Sequence, residues 1–487
     1  MKNKFGYLKQ SERKKVLLLS DDIRMHSGVG TMAKEIVMST VHHFNWVNLG
    51  AAVKHPEEGK VLDLSKEVNN QVGIDDSYVR LVPSTGYGNA QKVRELIGVE
   101  QPDAIFIFTD PRYWTWLFEI EREIRSLIPI FWLNIWDDYP APLYNKSYYE
   151  SVDVLMAISK QTKNINELVL AEKADSKLIK YVPHGINTDH FFPMENTVLG
   201  IQHEDLDKLK EFRETVLEGR DIDFVLFYNS RNIRRKSTAD TILAYKLFCD
   251  MIGKEKAKKC AFILHTDPTD PNGTDLRAVR EALCDPEYNN VFFSSEKVTT
   301  AQLNLLYNIA DASILLSSNE GWGLSLTESL VTATPFIANV TGGMQDQFRF
   351  EDENGEWINF SADFPSNHRG TYKKCGEWAT PVFPATRSIA GSIQTPYIFD
   401  DRCTTEDAAD AILKVYNMTP KERDIAGAKG YTWATGTEAN FTAEKMGNRV
   451  IEVMNEGFDK FKPRERFNLH KITDLPAKRI NHKLTGY

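Results

Sequence analysis

The chain has 487 residues, of which 42% are apolar and 26% charged, so it is globular and too long for a single ordinary domain. Its 68 acidic and 59 basic residues leave a net charge of −9, which argues against binding nucleic acid over the whole surface but leaves room for a local basic groove. Its start lacks the apolar stretch of a signal peptide, and no window reaches the ~18 apolar residues of a membrane span.

The cysteines are scattered along the chain, odd in number and without a C-x-x-C pair. Structural disulfides and zinc ligands recur at characteristic spacings, which are missing here. We therefore expect a cytoplasmic protein with free thiols and no structural zinc. The five residues are Cys249, Cys260, Cys284, Cys375 and Cys403.

Short apolar runs alternate with helical stretches in the first part of the chain. The run KVLLLS at residues 15–20 precedes a glycine-bearing segment, HSGVGT at 26–31, and then a helix with apolar residues at helical spacing. Such runs, bounded by turn residues, are typical of buried parallel strands. Four further strands are predicted here, at 103–108, 129–136, 152–159 and 177–183.

A second alternating set follows a polar stretch at residues 195–223, which we interpret as the domain linker. Two such sets predict the α/β class, with two doubly wound Rossmann-like domains facing a cleft. Sheets of this kind bind ligands at the carboxyl ends of their strands. The strands predicted in the second set are 223–230, 260–266, 290–294, 312–318 and 335–340.

Two regions depart from this alternation. Residues 348–400 are rich in Gly, Ser, Pro and aromatic residues, and we expect an ordered insertion because its aromatic side chains can be buried. A last helix is predicted from residue 442 to about 458. The tail at 460–487 carries eight Lys and Arg residues against two Asp and Glu residues.

The segment NEGWGLSLTES, residues 319–329, follows a predicted strand and carries Glu320 and Glu328 eight positions apart. Gly321 and Gly323 allow a ligand to approach the backbone, and the N–H groups at the start of the next helix favour negative charge. Carboxylates accept hydrogen bonds from vicinal hydroxyls, so a sugar or a ribose suits both glutamates. The segment predicts a ligand site, with a surface loop as the plainer alternative.

A basic segment, NSRNIRRKS at residues 229–237, follows the first strand of the second set. Its Arg231 and Lys236 lie five positions apart across a turn. A forked guanidinium and a compact ammonium together can hold a diphosphate. The alternative is a solvated basic turn, to which Arg234 and Arg235 would belong, and this segment alone leaves both interpretations open.

The glycine loop at residues 26–31 is weaker evidence. It lacks the full G-x-G-x-x-G spacing and a phosphate-loop lysine, which disfavours a dinucleotide-binding protein and an ATPase. His26 and His184 lie beside glycines of these motifs, and we expect both to be structural.

Together these segments resemble the motifs of retaining glycosyltransferases with the GT-B fold, similar to family 4. The stretch with the two glutamates resembles the E-x7-E motif of that family, and the basic stretch resembles its Arg and Lys pair. The resemblance covers most of residues 15–348, with the motifs in the family's order. The matching segments are 26–36, 181–193 (YVPHGINTDHFFP), 230–236, 319–328 and 341–347 (TGGMQDQ).

The resemblance implies transfer of a hexosyl or pentosyl group from a nucleotide-diphosphate sugar to a hydroxyl acceptor. The donor would lie on the second domain, residues 196–439, opposite an acceptor-side first domain of 1–195 joined by the terminal helix and tail, 440–487. Glu320 would bind the sugar and Glu328 the ribose. The other implied donor contacts are Arg231 and Lys236 at the diphosphate, the backbone of Gly321, Gly323 and Leu324, and Gly28 from the first domain.

The chemistry fits these roles. Negative charge builds on the leaving phosphate, so cations and N–H donors aimed there should contribute most. The resemblance implies that this phosphate helps to deprotonate the acceptor on the same face, so the glutamates are not a glycosidase acid and base. It implies no metal cofactor either, because Asp137 and Asp138 are adjacent and do not form the D-x-D motif of the other glycosyltransferase fold.

The chain departs from the family in the segment IWDDYP, where Trp136 stands in the place of a common histidine. We expect Asp137 to take part of the role of that histidine. Trp136 itself either stacks on a sugar or a base or belongs to the core.

Other functions stay open on the same fold. One is a non-catalytic or phosphorylase-like protein, and another is a glycosyltransferase for hydroxylated bases of nucleic acid, with the tail at 460–487 contacting phosphates. The acceptor would then be polyanionic. We favour the plainer interpretation, in which the tail folds over the first domain and residues 348–400 form a contact in a homo-oligomer.

Overall fold

The computed structural model describes residues 5–360 and 370–465. Eight strands form the first sheet in the order β3-β4-β2-β1-β5-β6-β7-β8, with only the β3–β4 pairing antiparallel. The strand order reverses between β1 and β5, so their carboxyl ends form a topological switch point, where such sheets bind ligands. The strands are β1 (Lys14–Asp21), β2 (Phe44–Ala52), β3 (Leu62–Asp63), β4 (Val79–Thr85), β5 (Ala104–Ile107), β6 (Ile130–Asn134), β7 (Val154–Ala157) and β8 (Leu178–Tyr181).

Six parallel strands form the second sheet in the order β13-β12-β11-β14-β15-β16. Its switch point lies between β11 and β14, and the two segments that follow these strands are the basic segment and the NEGWG segment. Two short hairpins, β9–β10 and β17–β18, complete the strands. The ranges are β9 (Glu195–Asn196), β10 (Ile201–Gln202), β11 (Phe224–Asn229), β12 (Cys260–His265), β13 (Asn290–Ser294), β14 (Ala312–Leu315), β15 (Phe336–Asn339), β16 (Ala379–Val382), β17 (Thr386–Ala390) and β18 (Ile398–Arg402).

Helices connect these parallel strands, as a parallel sheet requires. Several begin at a side-chain cap: Ser27 accepts a hydrogen bond from the N–H of Gly30, and Ser159 accepts one from Thr162. The helices are α1 (Gly28–Thr40), α2 (Ser65–Val72), α3 (Ala90–Glu100), α4 (Thr115–Glu119), α5 (Glu121–Ile124), α6 (Lys146–Glu150), α7 (Lys160–Leu170), α8 (Leu206–Val216), α9 (Thr238–Ile252), α10 (Lys254–Ala257), α11 (Leu276–Leu283), α12 (Thr300–Asn308), α13 (Leu324–Val331), α14 (Gln345–Phe348), α15 (Thr405–Tyr416), α16 (Pro420–Thr435) and α17 (Ala443–Lys460).

The last helix, α17, returns to the first sheet. Phe458 packs against Phe44 and Phe131, with ring centroids 6.4 and 5.1 Å apart, and Asn455 hydrogen-bonds His43 at 3.2 Å. The start of α17 is equally close, because a Cβ on Gly185 would overlap the backbone of Thr442. These contacts hold α17 against the first sheet, and the assignment of residues 440–487 to the first domain stays a prediction.

The predicted strands all form, most of them one to three residues shorter than expected. The analysis of the sequence missed the buried strand β2, its neighbour β4, and β16, which joins the second sheet from within residues 348–400. That region is therefore only partly an insertion. Residues 361–369 of it, and the tail at 466–487, lie outside the described residues.

The described residues bear on three expectations, which concern the thiols, membrane-spanning helices and metal ligands. All five cysteines have free thiols. None of the described helices is long and apolar enough to cross a bilayer. Within 5–360 and 370–465, no group of three or more His, Cys, Asp or Glu side chains is arranged to hold a metal ion.

Candidate functional site

The loop of residues 319–323 connects β14 to α13 and is buried at the second switch point. Gly323 caps the helix with a φ of +85°, a conformation that side-chain-bearing residues rarely adopt. No side chain caps α13. Its first N–H groups therefore keep the capacity to donate to an anion, and the helix dipole favours negative charge there.

Glu320 lies in this loop with its carboxylate held by two cations. Its Oε2 accepts hydrogen bonds from Nζ of Lys236 and from Nη1 of Arg235, the latter at 2.9 Å. Burial alone would raise the pKa of Glu320, but the charges of Arg235 and Lys236 outweigh it and lower the pKa to about 2. Glu320 is thus a fixed negative charge, and its Oε1 has no hydrogen-bond partner among the described residues.

Arg235 was not predicted as a site residue. The alternative that assigned it to a solvated turn is wrong, because its Nη1 also donates to the carbonyl of Asn319 at 2.9 Å and its Nε lies 3.9 Å from Asp137. The turn that follows Ile233 aims Arg235 and Lys236 inward together. Consecutive residues in one turn often point in different directions, so the sequence alone could not separate Arg235 from Arg234.

Arg231 lies apart from this cluster. Its guanidinium forms a forked ion pair with Asp270, with Nε 2.5 Å from Oδ2, and its side chain is 61% exposed. The structure therefore joins Lys236 to Glu320 but does not bring Arg231 to either of them. A diphosphate role for Arg231 stays a prediction, and it requires the guanidinium to leave or share Asp270.

Glu328 lies in α13 and faces the carboxyl end of β11. Its Oε2 accepts hydrogen bonds from the Tyr307 hydroxyl at 2.6 Å and from Nδ2 of Asn229 at 3.0 Å. Burial raises the pKa of Glu328, and these two hydrogen bonds act against that rise. Both bonds reach one oxygen, and Oε1 is free within the described residues to accept from a ligand hydroxyl.

Asp137 and Asp138 point to different surroundings. Asp137 faces the second domain, where a Cβ added to Gly321 would lie 3.1 Å from its Oδ1 and the Nε of Arg235 lies 3.9 Å from its Oδ2. Burial raises the pKa of Asp137, and the charge of Glu320 adds to the rise, against the attraction of Arg235. Asp138 is fully buried and accepts from the N–H of Tyr139 at 2.8 Å and from other donors, so it has a structural role.

Trp136 belongs mainly to the core. It is 7% exposed, its indole N–H donates to the carbonyl of Asp138 at 2.8 Å, and its ring packs edge-on against Tyr144. These contacts favour the core interpretation over stacking on a sugar, although one edge lines the cleft. His184 is buried as well, and burial lowers its pKa to about 3, so it stays neutral as a structural residue would.

The TGG turn, residues 341–343, packs against the loop of residues 319–323. The N–H of Gly343 donates to the carbonyl of Glu320 at 2.8 Å. Side chains cannot be accommodated here, because a Cβ on Gly342 or Gly343 would overlap the carbonyl oxygen of Glu320 or Gly321, respectively. The turn thus fixes the backbone that carries Glu320.

The glycine loop of the first domain approaches the start of α13. A Cβ on Gly28 would lie 3.8 Å from Cδ1 of Leu324. Ser27 fixes this loop by donating to Asp21 at 2.7 Å, while its oxygen caps α1. Gly28 and Leu324 therefore face each other across the domain interface, and their donor contacts remain predictions.

A cavity of about 360 Å³ lies between the domains beside Glu320. Asp110, which follows β5, and Arg112 line it from the first domain, as do Trp136 and Asp137. Arg234, Arg235 and Asn319 line it from the second. Sequence analysis missed Asp110, although its place after a strand at the first switch point was a usable signal.

The domains also meet through a buried carboxylate, Asp346. Its Oδ2 accepts hydrogen bonds from the backbone N–H of Lys160 and from the Tyr181 hydroxyl, both at 2.9 Å, whereas Oδ1 is buried without a partner. Burial raises the pKa of Asp346 to about 6, against the attraction of Lys160. The folded protein therefore holds a proton at Asp346 more tightly than the unfolded chain does.

We expect Asp346→Asn to change how stability depends on pH. Because the folded pKa lies above the unfolded value, wild-type stability should fall as pH rises from about 4 to about 6, and the asparagine removes this loss. The difference in Tm, variant minus wild type, should therefore grow with pH across that range and level off above it. Thermal unfolding in a buffer series measures it, and a constant difference would contradict the prediction.

One family model matches part of the second domain. The sequence profile of the family Glycosyl transferases group 1 matches residues 285–363, which include Glu320 and Glu328. The chain has a glycosyltransferase group 1 domain. A search of curated proteins found no match.

Solved structures share the fold of this glycosyltransferase. HepE from Anabaena, in complex with UDP and glucose, aligns with a TM-score of 0.62 at 13% identity, over 91% of this chain and 100% of that one. A sucrose-phosphate synthase from Thermosynechococcus elongatus aligns with a TM-score of 0.62 at 13% identity, over 92% and 100%. An α,α-trehalose-phosphate synthase from Burkholderia vietnamiensis gives 0.58 at 11%, over 93% and 98%. The predictions of a GT-B fold and of a glycosyltransferase are confirmed.

Proposed function

We propose that the protein is a retaining glycosyltransferase that moves a sugar from a nucleotide-diphosphate sugar to a hydroxyl acceptor without a metal ion. The observation that carries the proposal is the cluster at the second switch point. Within it, Glu320, Lys236 and Arg235 lie beside the uncapped start of α13, and Glu328 lies one helical turn further on. The cluster combines fixed cations, free N–H groups and two carboxylates with an unused oxygen each.

The donor would bind along this cluster. The free Oε1 of Glu328 suits a ribose hydroxyl, and that of Glu320 suits a hydroxyl of the transferred sugar. The diphosphate would lie between them, against the N–H groups of Gly323 and Leu324 and the ammonium of Lys236. Within the proposal, Arg231 reaches the diphosphate by exchanging Asp270 for a phosphate oxygen, and Gly28 closes on it from the first domain.

The transfer breaks the bond between the anomeric carbon and the donor phosphate oxygen and forms a bond from the same face to the acceptor oxygen. The acceptor proton passes to the departing phosphate, which leaves as the nucleoside diphosphate. Lys236 and Arg235 stabilise the charge that builds on this leaving group, in a site already arranged for it. Asp137, beside Gly321, orients the acceptor hydroxyl. No glutamate has to attack the sugar.

A thermal-shift panel of UDP-, GDP- and ADP-sugars tests the proposal. A donor present at about 100 times its Kd should stabilise the fold by about 2.7 kcal/mol, a rise in Tm of about 3 °C, and product should form equally well in EDTA. Arg231→Ala should weaken the shift, whereas Arg277→Ala, a change on the exposed face of α11, should not. A folded protein that no nucleotide sugar stabilises would contradict the proposed function, and loss of activity in EDTA would contradict its metal independence.

A further inference from the structure

A hairpin of the second domain reaches across the cleft to the first domain. We call residues 386–402, which comprise β17, β18 and the loop between them, the strap. On the second domain the N–H of Asp401 donates to the carbonyl of Ser318 at 2.8 Å, and Nδ2 of Asn319 donates to the carbonyl of Phe399 at 3.1 Å. The root of the strap is therefore fixed to the segment that carries Glu320.

The start of β18 also contacts the first domain. The N–H of Phe399 donates to the carbonyl of Tyr139 at 2.7 Å, and the Tyr144 hydroxyl donates to the carbonyl of Tyr397 at 3.0 Å. The Tyr397 hydroxyl in turn donates to the carbonyl of Ala141 at 3.3 Å, and its ring packs edge-on against Tyr144. These contacts hold the second strand of the hairpin, and the residue before it, against both domains.

The strap lines one side of the cavity, which is partly open to solvent. Ala390, Gly391, Ser392, Thr395 and Ile398 all line it. Opposite them are the carboxylates of the first domain, Asp110 and Asp137, with Arg112, whose guanidinium lies 3.4 Å from the Thr395 hydroxyl. A volume of about 360 Å³ falls at the small end of the range for small-molecule sites, about 300–1,000 Å³.

The charges around the cavity are balanced. Three arginines face three aspartates, and most are already engaged: Arg112 lies 3.3 Å from Asp110, and Arg235 lies 3.9 Å from Asp137. Of these six lining residues, only Arg234 forms no ion pair with a described residue. Because the lining charges cancel and two of the three arginines are already paired, the cavity offers little net attraction to a phosphate backbone.

We propose that the strap is the outer wall of the acceptor site and that it selects a small saccharide of one or two rings. This inference rests on the proposed function. Asp110 and Asp137 accept hydrogen bonds from ring hydroxyls, as carboxylates do from vicinal diols, and the hydroxyls of Ser392 and Thr395 contact the same molecule from the strap. A longer chain that runs toward the strap would have to displace residues 391–396. The strap thereby accounts for a segment whose sequence first suggested an oligomer contact.

Steady-state kinetics with the stabilising nucleotide sugar test this proposal. Glucose, mannose, galactose, N-acetylglucosamine and their disaccharides serve as acceptors, with hexasaccharides and an oligonucleotide containing 5-hydroxymethylcytosine for comparison. The test variant replaces residues 391–396 with two glycines, which suit a short hairpin loop. We expect its KM for the small acceptor to rise at least tenfold, its donor Kd to stay within twofold, and hexasaccharides to become better substrates relative to wild type.

Two point variants complete the design. Asp110→Asn removes the charge but keeps an oxygen that can accept the hydrogen bond from the N–H of Arg112, which is 3.0 Å long in the wild type. This variant should raise the acceptor KM without changing the donor Kd. Val99→Ser changes an exposed residue of α3 outside the cavity and the strap, so it should leave both constants unchanged.

The outcomes separate this inference from the proposed function. If no nucleotide sugar binds, the proposed function fails and the acceptor site falls with it. If a donor binds but no monosaccharide or disaccharide is glycosylated, or if the oligonucleotide is the better acceptor, the inference alone is overturned. An unchanged acceptor KM in both the shortened strap and Asp110→Asn would overturn it too.

Discussion

Glu320→Gln is expected to lower kcat at least 100-fold while leaving a folded protein. The glutamine keeps the shape and an oxygen acceptor but removes the charge that fixes Lys236 and Arg235. Both cations then lose their alignment toward the leaving phosphate, and removal of one preorganised electrostatic contact typically costs a factor of 10²–10³. Single-turnover kinetics at saturating donor isolate the chemical step.

Glu320→Ala separates catalysis from stability. It leaves the buried ammonium of Lys236 without its ion-pair partner and removes one of the partners of Arg235, and breaking a buried ion pair costs about 3–5 kcal/mol. We therefore expect the alanine variant to unfold well below the glutamine variant in a denaturant series, although both lose activity. The proposed role of Glu320 would be wrong if Glu320→Gln kept its kcat within tenfold of wild type.

Gly343→Ala is expected to abolish donor binding. Its new Cβ would overlap the carbonyl oxygen of Gly321 and lie 2.9 Å from Cβ of Ser159 in the first domain. These are atoms of the backbone or next to it and cannot rotate aside, so the loop that carries Glu320 has to move. A shift of about 1 Å at a catalytic group can cost a factor of 100 or more. Isothermal titration with the stabilising nucleotide sugar measures the loss.

Gly98→Ala provides the matched control. Gly98 is exposed in the helix α3, and nothing lies within 4 Å of the Cβ it would gain. Alanine is favoured over glycine in a helix by about 0.5–1 kcal/mol, so this variant should bind donor normally and be slightly more stable. Normal donor binding by Gly343→Ala would show that the TGG turn does not fix the loop.

The alternation of strands and helices was readable from the sequence because buried parallel strands are short apolar runs with a distinct boundary. β2 was missed although it is almost wholly buried, because its sequence FNWVNLGAA contains asparagines and small residues that interrupt the apolar run. β16 was missed for a related reason, since it includes Pro381 and lies at the edge of its sheet.

The candidate site was readable only in part. Residue types and spacing placed Glu320 and Lys236 in one site, and their ion pair agrees with that expectation. Spacing carries no information on the direction of a side chain within a turn, so it could not show that Arg235 joins the cluster at Glu320 while Arg231 pairs with Asp270. The strap was beyond sequence analysis because its contacts with Tyr139 and Tyr144 join residues more than 250 positions apart.

The return of α17 to the first sheet has a consequence for biosynthesis. The first domain is translated early, but the aromatic side chains Phe44 and Phe131 receive their cover from Phe458 only after almost all of the chain has left the ribosome. While the second half is being synthesised, the first half therefore exposes these apolar side chains. A chaperone can bind such an exposed apolar surface. The two halves become native together.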